Sequence, residues 1–460
     1  MIGSGTRALG IVFVALGASG ISCARCNGER TTTTTTTSAS GSSSALASNG
    51  GARCTSVGKP ARFGEERDDA GALGDESTPT PFGAELGGAT ADAEGFLVGA
   101  RQAGLTGESA VLRVDLEGNA LTVVSKWSPK SGTAHAPLVD VDPSGRVVIG
   151  TLVEDAGRST LHVDALAADG ARSVLGDIDE GSDESDANAI AANAAGALIF
   201  WDDADPTHAV GRIRASIVPA HATVAPSTSV PVHPLPKSSA SSASPEATPL
   251  DVVSPKTSNA AWPIVARSPD GARAVLIWLA ERSEAFEDHD GGEGEPSQDE
   301  AFRWAEARVI DLANGQPLGA ARALTALDGH AQTIAARWTG SGLIVVVRDD
   351  PRPTDGDGGV LIAARAAIDG TAIGEPTRAT IADDGVAPGV PFLAPYRDAA
   401  ITAYLALDGK AQLVPTFVAG PRSTEPLLEG RVIVAVRGDR VLSSRAARSG
   451  LELTVLRCAP

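Results

Sequence analysis

Four cysteines carry the clearest chemical signal in this 460-residue sequence. Cys23 and Cys26 lie near the amino terminus, whereas Cys54 and Cys458 flank a long stretch that contains no other cysteine. In an oxidising compartment two such thiols are natural disulfide partners. Closing so long a loop stabilises a fold by about 4–5 kcal/mol in the chain-entropy description. We therefore predict a Cys54–Cys458 disulfide, with two alternatives left open: two unrelated thiols, or a bond between Cys54 and Cys26.

The residues before Cys23 indicate an export signal. Arg7 supplies a positive charge, and residues 8–21 are small, apolar and uncharged. A run of this length suits a signal peptide and is too short to span a bilayer comfortably. The order resembles a lipoprotein signal, which implies that Cys23 is acylated, although Gly20 stands where that pattern usually has a branched aliphatic residue. Plain secretion after cleavage near residues 18–20, or a retained anchor, are the alternatives.

The sequence thus predicts a signal peptide over 1–22 and a flexible tether over 23–51. Residues 31–49 are mostly Thr and Ser, a composition that cannot bury apolar area and stays solvated. Such a tether holds a folded head away from a membrane. We expect an exported protein of the cell envelope, on the periplasmic side or the outer surface, anchored by lipid at Cys23 or otherwise secreted.

Motifs for catalysis or cofactor binding are absent from the rest of the sequence. No serine has glycine both two residues before and two residues after it, which excludes a nucleophile elbow, and no glycine-rich phosphate-binding loop occurs. The seven histidines lack the spacing of a zinc site. Two acidic stretches, 355–359 and 281–300, lack the ligand spacing of a calcium loop. We predict no catalytic, cofactor-binding or metal-binding residue, and no cofactor.

Charge and aromatic content narrow the range of partners. The formal net charge is -19 and the isoelectric point about 4.8, so nucleic acids and anionic bilayers are repelled. Contact with a membrane is expected through the lipid anchor alone. Aromatic residues make up 4% of the chain, which leaves few side chains for a sugar-stacking cleft or a cage for cationic ligands.

The elements that would position any site follow a repeat that starts near residue 86. In each unit an alternating strand leads to a turn rich in Asp and Gly, and a second apolar strand follows, as in tight hairpins. The first-turn glycines fall at 95, 145, 196, 271 and 342, and a sixth turn lies at Asp398. The strands after these turns are 96–100, 146–150, 197–201, 272–278, 343–347 and 399–405.

Repeat units of about 40–50 residues with four strands each predict an all-β fold, a β-propeller. A single unit leaves its apolar faces wet, whereas blades stacked around an axis bury them. Two inserts, 222–260 and 281–300, are expected to be disordered surface loops. Trp201 and Trp278, which end equivalent strands, are expected to pack between blades. Aspartates that precede the second glycine turn are expected to bond within the turn.

The last unit is one strand short of a blade. After six units come three strands, 430–436, 440–444 and 451–456. The missing strand can be supplied by residues 52–63, which would close the ring, hide the free strand edges and set Cys54 beside Cys458. We therefore predict one propeller domain over 52–460 with about seven blades, while six to eight remain compatible with the sequence.

One unit resembles the PD40/TolB-type (WD40-like) propeller repeat. The resemblance rests on Pro263, residues 268–271, residues 309–312 and Gly315. Residues 142–145 contain the same residue types as 268–271 in a different order. The resemblance covers about a tenth of the chain and implies a propeller and protein interaction on the periplasmic side. The resemblance assigns no catalytic residue to any position of this sequence.

These observations favour a non-enzymatic, envelope-anchored propeller that binds a protein in the cell envelope or an extracellular ligand. The alternative is a propeller enzyme, a hydrolase or lyase, whose groups converge in the central channel from separate blades and so leave no local motif.

Replacement of the acylation residue tests the anchor. Cys23→Ser should move the protein from the membrane fraction to the soluble fraction. Without acyl groups the chain loses its anchor, and its acidic surface is repelled by anionic bilayers. Partitioning would be followed by immunoblotting of separated fractions, with Cys26→Ser as control. Unchanged partitioning of Cys23→Ser would end the lipoprotein interpretation.

Overall fold

The computed structural model describes residues 53–63, 84–102, 108–167, 170–181, 188–205, 210–220, 248–249, 254, 258–268, 270–282, 302–351, 358–396, 398–447 and 450–459. The predicted signal peptide and tether lie outside these residues, as does most of both predicted inserts. Within them the fold is all-β, with one short 3-10 helix, Pro426–Leu428. None of the described segments forms a helix of the length and apolarity that a membrane span requires.

Seven antiparallel sheets form the blades of a propeller, and each blade is numbered in chain order. Blade 1 contains β2 (Ala84–Ala91), β3 (Gly95–Gln102), β4 (Ser109–Asp115) and β5 (Leu121–Trp127). Blade 2 contains β6 (Thr133–Ala134), β7 (Leu138–Val141), β8 (Val147–Asp155), β9 (Arg158–Leu166) and β10 (Arg172–Gly181). Blade 3 contains β11 (Asn188–Asn193), β12 (Gly196–Asp205), β13 (Val210–Pro219) and β14 (Thr248–Pro249).

The remaining blades repeat the pattern. Blade 4 contains β15 (Asn259–Arg267), β16 (Arg273–Arg282), β17 (Phe302–Asp311) and β18 (Arg322–Ala323). Blade 5 contains β19 (Ala331–Thr339), β20 (Gly342–Asp349), β21 (Gly359–Ala366) and β24 (Thr377–Val386), with a small hairpin of β22 (Ile368–Asp369) and β23 (Ala372–Ile373). Blade 6 contains β25 (Phe392–Tyr396), β26 (Ala399–Leu405), β27 (Ala411–Thr416) and β28 (Ser423–Thr424). Blade 7 contains β29 (Val432–Arg437), β30 (Arg440–Ala447), β31 (Gly450–Ala459) and β1 (Arg53–Phe63).

Blade 7 joins the two ends of the described chain. Strand β1 pairs antiparallel with β31, and the register sets Cys54 directly opposite Cys458. Their sulfur atoms are at disulfide distance, 1.99 Å apart. The backbone N–H of Cys54 also donates to Oε2 of Glu425 at 2.7 Å, which ties β1 to the segment that follows blade 6. The prediction of seven four-stranded blades closed by an amino-terminal strand is therefore confirmed.

The core consists of seven apolar clusters, one at each junction between neighbouring blades. Successive residues of a strand point to opposite faces, so one strand serves two junctions. In β20, Leu343 and Val345 pack toward blade 4, whereas Ile344 and Val346 pack toward blade 6. This is why the second strands read as continuous apolar runs rather than as alternating ones.

Several side-chain predictions are met at these junctions and turns. Trp201 packs between blades 2 and 3, and the fully buried Trp278 packs between blades 3 and 4. Asp115 and Asp311 accept backbone N–H groups within their own turns. Asp164 behaves differently, because its carboxylate lies 3.3 Å from Nη1 of Arg172 instead of capping a turn.

The predicted loop over 222–260 needs a correction at its end. Thr248–Pro249 forms the outer strand of blade 3 by pairing with β13. Ser254 is buried, and its Oγ accepts the backbone N–H of Ile213 at 3.1 Å. Asn259 then begins β15. The Pro- and Ser-rich composition hid this strand because two paired residues suffice for an outer edge. At the second insert, Glu281 and Arg282 still belong to β16.

Candidate functional site at the mouth of the channel

The first strands of the blades surround the axial channel: β2, β7, β11, β15, β19, β25 and β29. We call the side where these strands begin the entry face, and the side where each passes by a short turn into the second strand the turn face. The strands that line the channel are mostly Ala, Gly and aliphatic residues. They carry five charged residues: Glu85, Asp140, Arg267, Arg337 and Arg437.

A glycine cradle on blade 1 shapes the entry face. The inner edge of blade 2 is interrupted between β6 and β7, and the carbonyl oxygen of Pro137 there accepts the N–H of Gly88 at 3.0 Å. A Cβ on Gly87 or Gly99 would come within 2.2 or 1.7 Å of that oxygen. Only glycine leaves room for this approach, so blade 2 docks in one position.

The docked segment fixes His135 from both sides. Its backbone N–H donates to the carbonyl of Leu152 at 2.9 Å. Its own carbonyl accepts from Oγ of Ser109 at 3.0 Å. The backbone of His135 is consequently held at the junction of blades 1 and 2 independently of the contacts of its imidazole.

His135 lies between two carboxylates, and with Arg101 these groups form what we call the His135 cluster. Nδ1 of His135 is 3.8 Å from Oε1 of Glu85, and Nε2 is 3.0 Å from Oε1 of Glu154. Nη1 of Arg101 donates to Oε2 of Glu85 at 3.2 Å. The imidazole is 17% exposed and Glu154 is 50% exposed, so the cluster opens to solvent through Glu154.

The charges in this cluster reinforce one another. The interaction with the Glu85 carboxylate, together with the charge of Glu154, raises the pKa of His135 against the opposing effect of burial. Burial disfavours ionisation of Glu85, but His135 and Arg101 outweigh it and hold the pKa of Glu85 below its usual range. The shift favours the protonated imidazole, which donates hydrogen bonds and cannot act as a general base.

Trp262 is the large aromatic side chain exposed on an innermost strand. It lies at a register shift in β15, and its φ of 56° is in the left-handed region. A bulky residue there costs about 1–3 kcal/mol, and the backbone N–H of Trp262 is held by Oδ2 of Asp202 at 3.2 Å. The side chain is 42% exposed. Strain that keeps an indole in solvent is the kind of feature found at binding sites.

A second charged cluster joins blades 2, 3 and 4 toward the turn face. Asp140 is paired with Arg267 and also accepts the N–H of Ala192 at 2.9 Å. Arg267 donates to the carbonyls of Val141 at 3.0 Å and Ala192 at 2.5 Å. Burial raises the pKa of Asp140, while the charge of Arg267 opposes that shift. The contacts of this pair with each other and with Ala192 link blades 2, 3 and 4.

The entry face of blades 4 and 5 is likewise cross-linked by polar side chains. Nε of Arg303 is 2.6 Å from Oε2 of Glu281. Oδ2 of Asp349 accepts the backbone N–H of His330 at 2.8 Å, and burial raises the pKa of Asp349. Gln332 donates from Nε2 to the carbonyl of Asp350 at 3.0 Å. The contact of His330 with Asp349 fastens the segment between the blades to blade 5, and the other two contacts lie within one blade each.

An apolar cavity of about 210 Å³ lies between blades 6 and 7, next to Cys458. Tyr396, Leu413 and Leu428 contribute to its lining, and Asp439 is its one charged side chain. The cavity can accept a small apolar group but brings no acid–base pair together.

The residues named from the sequence have different fates. Cys54 and Cys458 meet at the turn face, whereas Cys23, Asp355 and Asp357 lie outside the described residues. Within the described ranges, no three His, Cys, Asp or Glu side chains are grouped so that they could hold a metal ion.

Sequence reasoning missed both Trp262 and the His135 cluster. Glu85 and His135 are about one repeat apart, and equivalent positions one blade apart become neighbours in a ring. That spacing was the available signal. Trp262 had no such signal, because the following Pro263 favours an extended backbone at 262 rather than the left-handed one observed.

No family model matches this sequence, and no curated protein is similar to it. A protein of unknown function from Dyadobacter fermentans has a TM-score of 0.40 and 9% identity, over 88% of this chain and 98% of that chain. The periplasmic gluconolactonase of Pseudomonas aeruginosa has 0.40 and 13%, over 80% and 87%. Sqt1 from Chaetomium thermophilum has 0.40 and 13%, over 81% and 96%. Likeness at this level identifies no activity, and the PD40/TolB-type resemblance stays a prediction.

The His135 cluster predicts a specific pH dependence of stability. Because the folded-state pKa of His135 is raised, its stabilising contribution is complete below the ordinary pKa and disappears as pH rises through the folded-state pKa. Above the ordinary histidine pKa of about 6.5, the free energy of unfolding should therefore fall more steeply with rising pH for the wild type than for His135→Gln. Urea denaturation at several pH values measures both slopes.

Glu85→Gln removes the largest cause of the shift and should flatten the slope as His135→Gln does. If both variants keep the wild-type slope over this range, the cluster does not couple protonation to folding.

Proposed function

We propose that this protein is a non-enzymatic, exported β-propeller that binds a protein of the cell envelope or an extracellular ligand at the entry face of its channel. The observation that carries the proposal is Trp262, an exposed indole held in a strained backbone on an innermost strand. Aromatic side chains of this kind anchor interfaces because they bury a large apolar area with little loss of conformational freedom.

The polar groups near the channel support binding rather than catalysis. Both acids on the innermost strands are matched by cations, Glu85 by Arg101 and Asp140 by Arg267. A catalytic pair requires one group that is free to take or give a proton near neutral pH. The Glu85–Arg101 pair supplies fixed hydrogen-bonding groups instead, which position a partner and fix its orientation.

The rival proposal is a channel hydrolase or lyase, and the His135 cluster is the observation in its favour. There His135 would act with Glu85 and Glu154. The raised pKa of His135 suits a general acid better than a general base. Loss of a measured turnover in His135→Gln, with binding retained, would decide for the enzyme.

Export and anchoring belong to the same proposal. The Cys54–Cys458 pair supports an oxidising compartment, because structural disulfides persist there and are rare in the cytosol. Acylation at Cys23 and the tether over 23–51 would then hold the propeller at a membrane surface. The acidic chain favours partners that are neutral or basic over nucleic acids.

Site-specific crosslinking tests the binding face. A photoreactive aromatic amino acid at position 262 should form adducts with envelope components, because it replaces one aromatic ring by another at the proposed contact. The control position is 174 on β10, an outer strand, where Val174 is 52% exposed.

Competition makes the experiment decisive. Excess unlabelled wild-type protein should suppress the adducts at 262, whereas Trp262→Ala should compete at least about tenfold less well, as expected for loss of a central aromatic contact. Equal adducts at 262 and 174, or equal competition by Trp262→Ala, would refute binding at this face.

A further inference from the structure

Two arginines of blade 5 stand in one cross-strand row. Arg337 on β19 pairs with Ile344 on β20, and Ile344 pairs with Arg365 on β21. Residues that are directly opposite in adjacent strands project to the same face of a sheet. Adjacent strands are about 4.8 Å apart, so the two arginine backbones lie about 10 Å apart on one face, on either side of Ile344.

This face of blade 5 is mainly apolar around the two arginines, and farther along β20 it carries Arg348, which is buried and ion-paired with Asp350. Ala335, Ile344 and Ala363 pack on this face against Leu393 and Ala399 of blade 6. Both guanidinium groups therefore lie at the edge of an apolar surface.

Within the part of the chain that the structure describes, neither guanidinium group has a hydrogen-bond or ion-pair partner. Both residues are only partly exposed. Burial alone lowers the pKa of Arg337, with no nearby carboxylate to oppose the shift. A guanidinium taken out of water without a partner is costly.

The equivalent positions of the other blades show that this charge is not required by the fold. The equivalent position lies two residues before the residue that begins the turn after each innermost strand. In most blades this position holds a small residue, and in blade 2 it holds an acid neutralised by Arg267. In blade 5 it is Arg337. The equivalent residues are Thr90, Asp140, Ala191, Ala266, Arg337, Ala394 and Ala435.

From these observations we infer that Arg337 and Arg365 bind a small anion, a carboxylate or a phosphate, near the turn face at the junction of blades 5 and 6. Guanidinium groups bind both classes through paired N–H donors. The site is distinct from the entry face, so this inference goes beyond the proposed function and does not depend on it.

The test compares anions at equal ionic strength in the full-length, oxidised protein. Inorganic phosphate and acetate are added separately, and chloride is the reference. A ligand that binds only the folded state raises the melting temperature. For the wild type we expect a rise of about 2 °C or more with phosphate or acetate over chloride, and the anion that gives the larger rise identifies the class.

Arg337→Met and Arg365→Met should each lose most of this rise. Without phosphate or acetate, Arg337→Met should melt no lower than the wild type, because an apolar side chain replaces an unpartnered charge. Arg282→Met removes the same charge at the entry face of blade 4 and should keep the wild-type response. Circular dichroism confirms that each variant is folded, and isothermal titration should show a loss of affinity of about tenfold or more.

Three results would overturn the inference. The first is a wild type that gains no more from phosphate or acetate than from chloride. The second is a pair of variants that keep the full rise. The third is an Arg282→Met control that loses the rise as the site variants do, which would indicate general screening of charge.

Discussion

The whole structure depends on the pairing of β1 with β31. A blade has two apolar faces and is stable only when a neighbour covers each of them. Six of the seven blades are continuous in sequence, but the last has only three strands of its own. The amino-terminal strand supplies the fourth strand, so the register between Cys54 and Cys458 fixes the relation of the first blade to the last. The geometry of the other six junctions depends on this closure of the ring.

Ring closure also accounts for the use of charge along the channel. Apolar clusters supply the burial at every junction, and paired charges such as Asp140 with Arg267 add orientation by reaching across blades. The entry face differs, because Trp262 stays in solvent and the His135 cluster opens through Glu154. In the proposed function, residues of the entry face carry recognition, whereas the Asp140–Arg267 pair locks the blades toward the turn face.

The sequence was sufficient for what is local or repeated. Turn glycines and apolar strands predicted the blades, and the short last unit together with two distant cysteines predicted how the ring closes. The site could not be predicted in the same way, because Glu85 and His135 meet only after two blades dock through the Pro137 carbonyl. Thr248–Pro249 was missed for a related reason: a two-residue outer strand takes its stability from β13 rather than from its own composition.

Hydrogen exchange of the oxidised, full-length protein tests ring closure most directly. If β1 is the closing strand, the amides of Val57 and Phe63 open only with the ring and should be protected to the same free energy as those of Leu453 and Val455 in β31. Exchange of the β1 amides at the rate of an unstructured chain, while the second strands of the blades stay protected, would contradict the account.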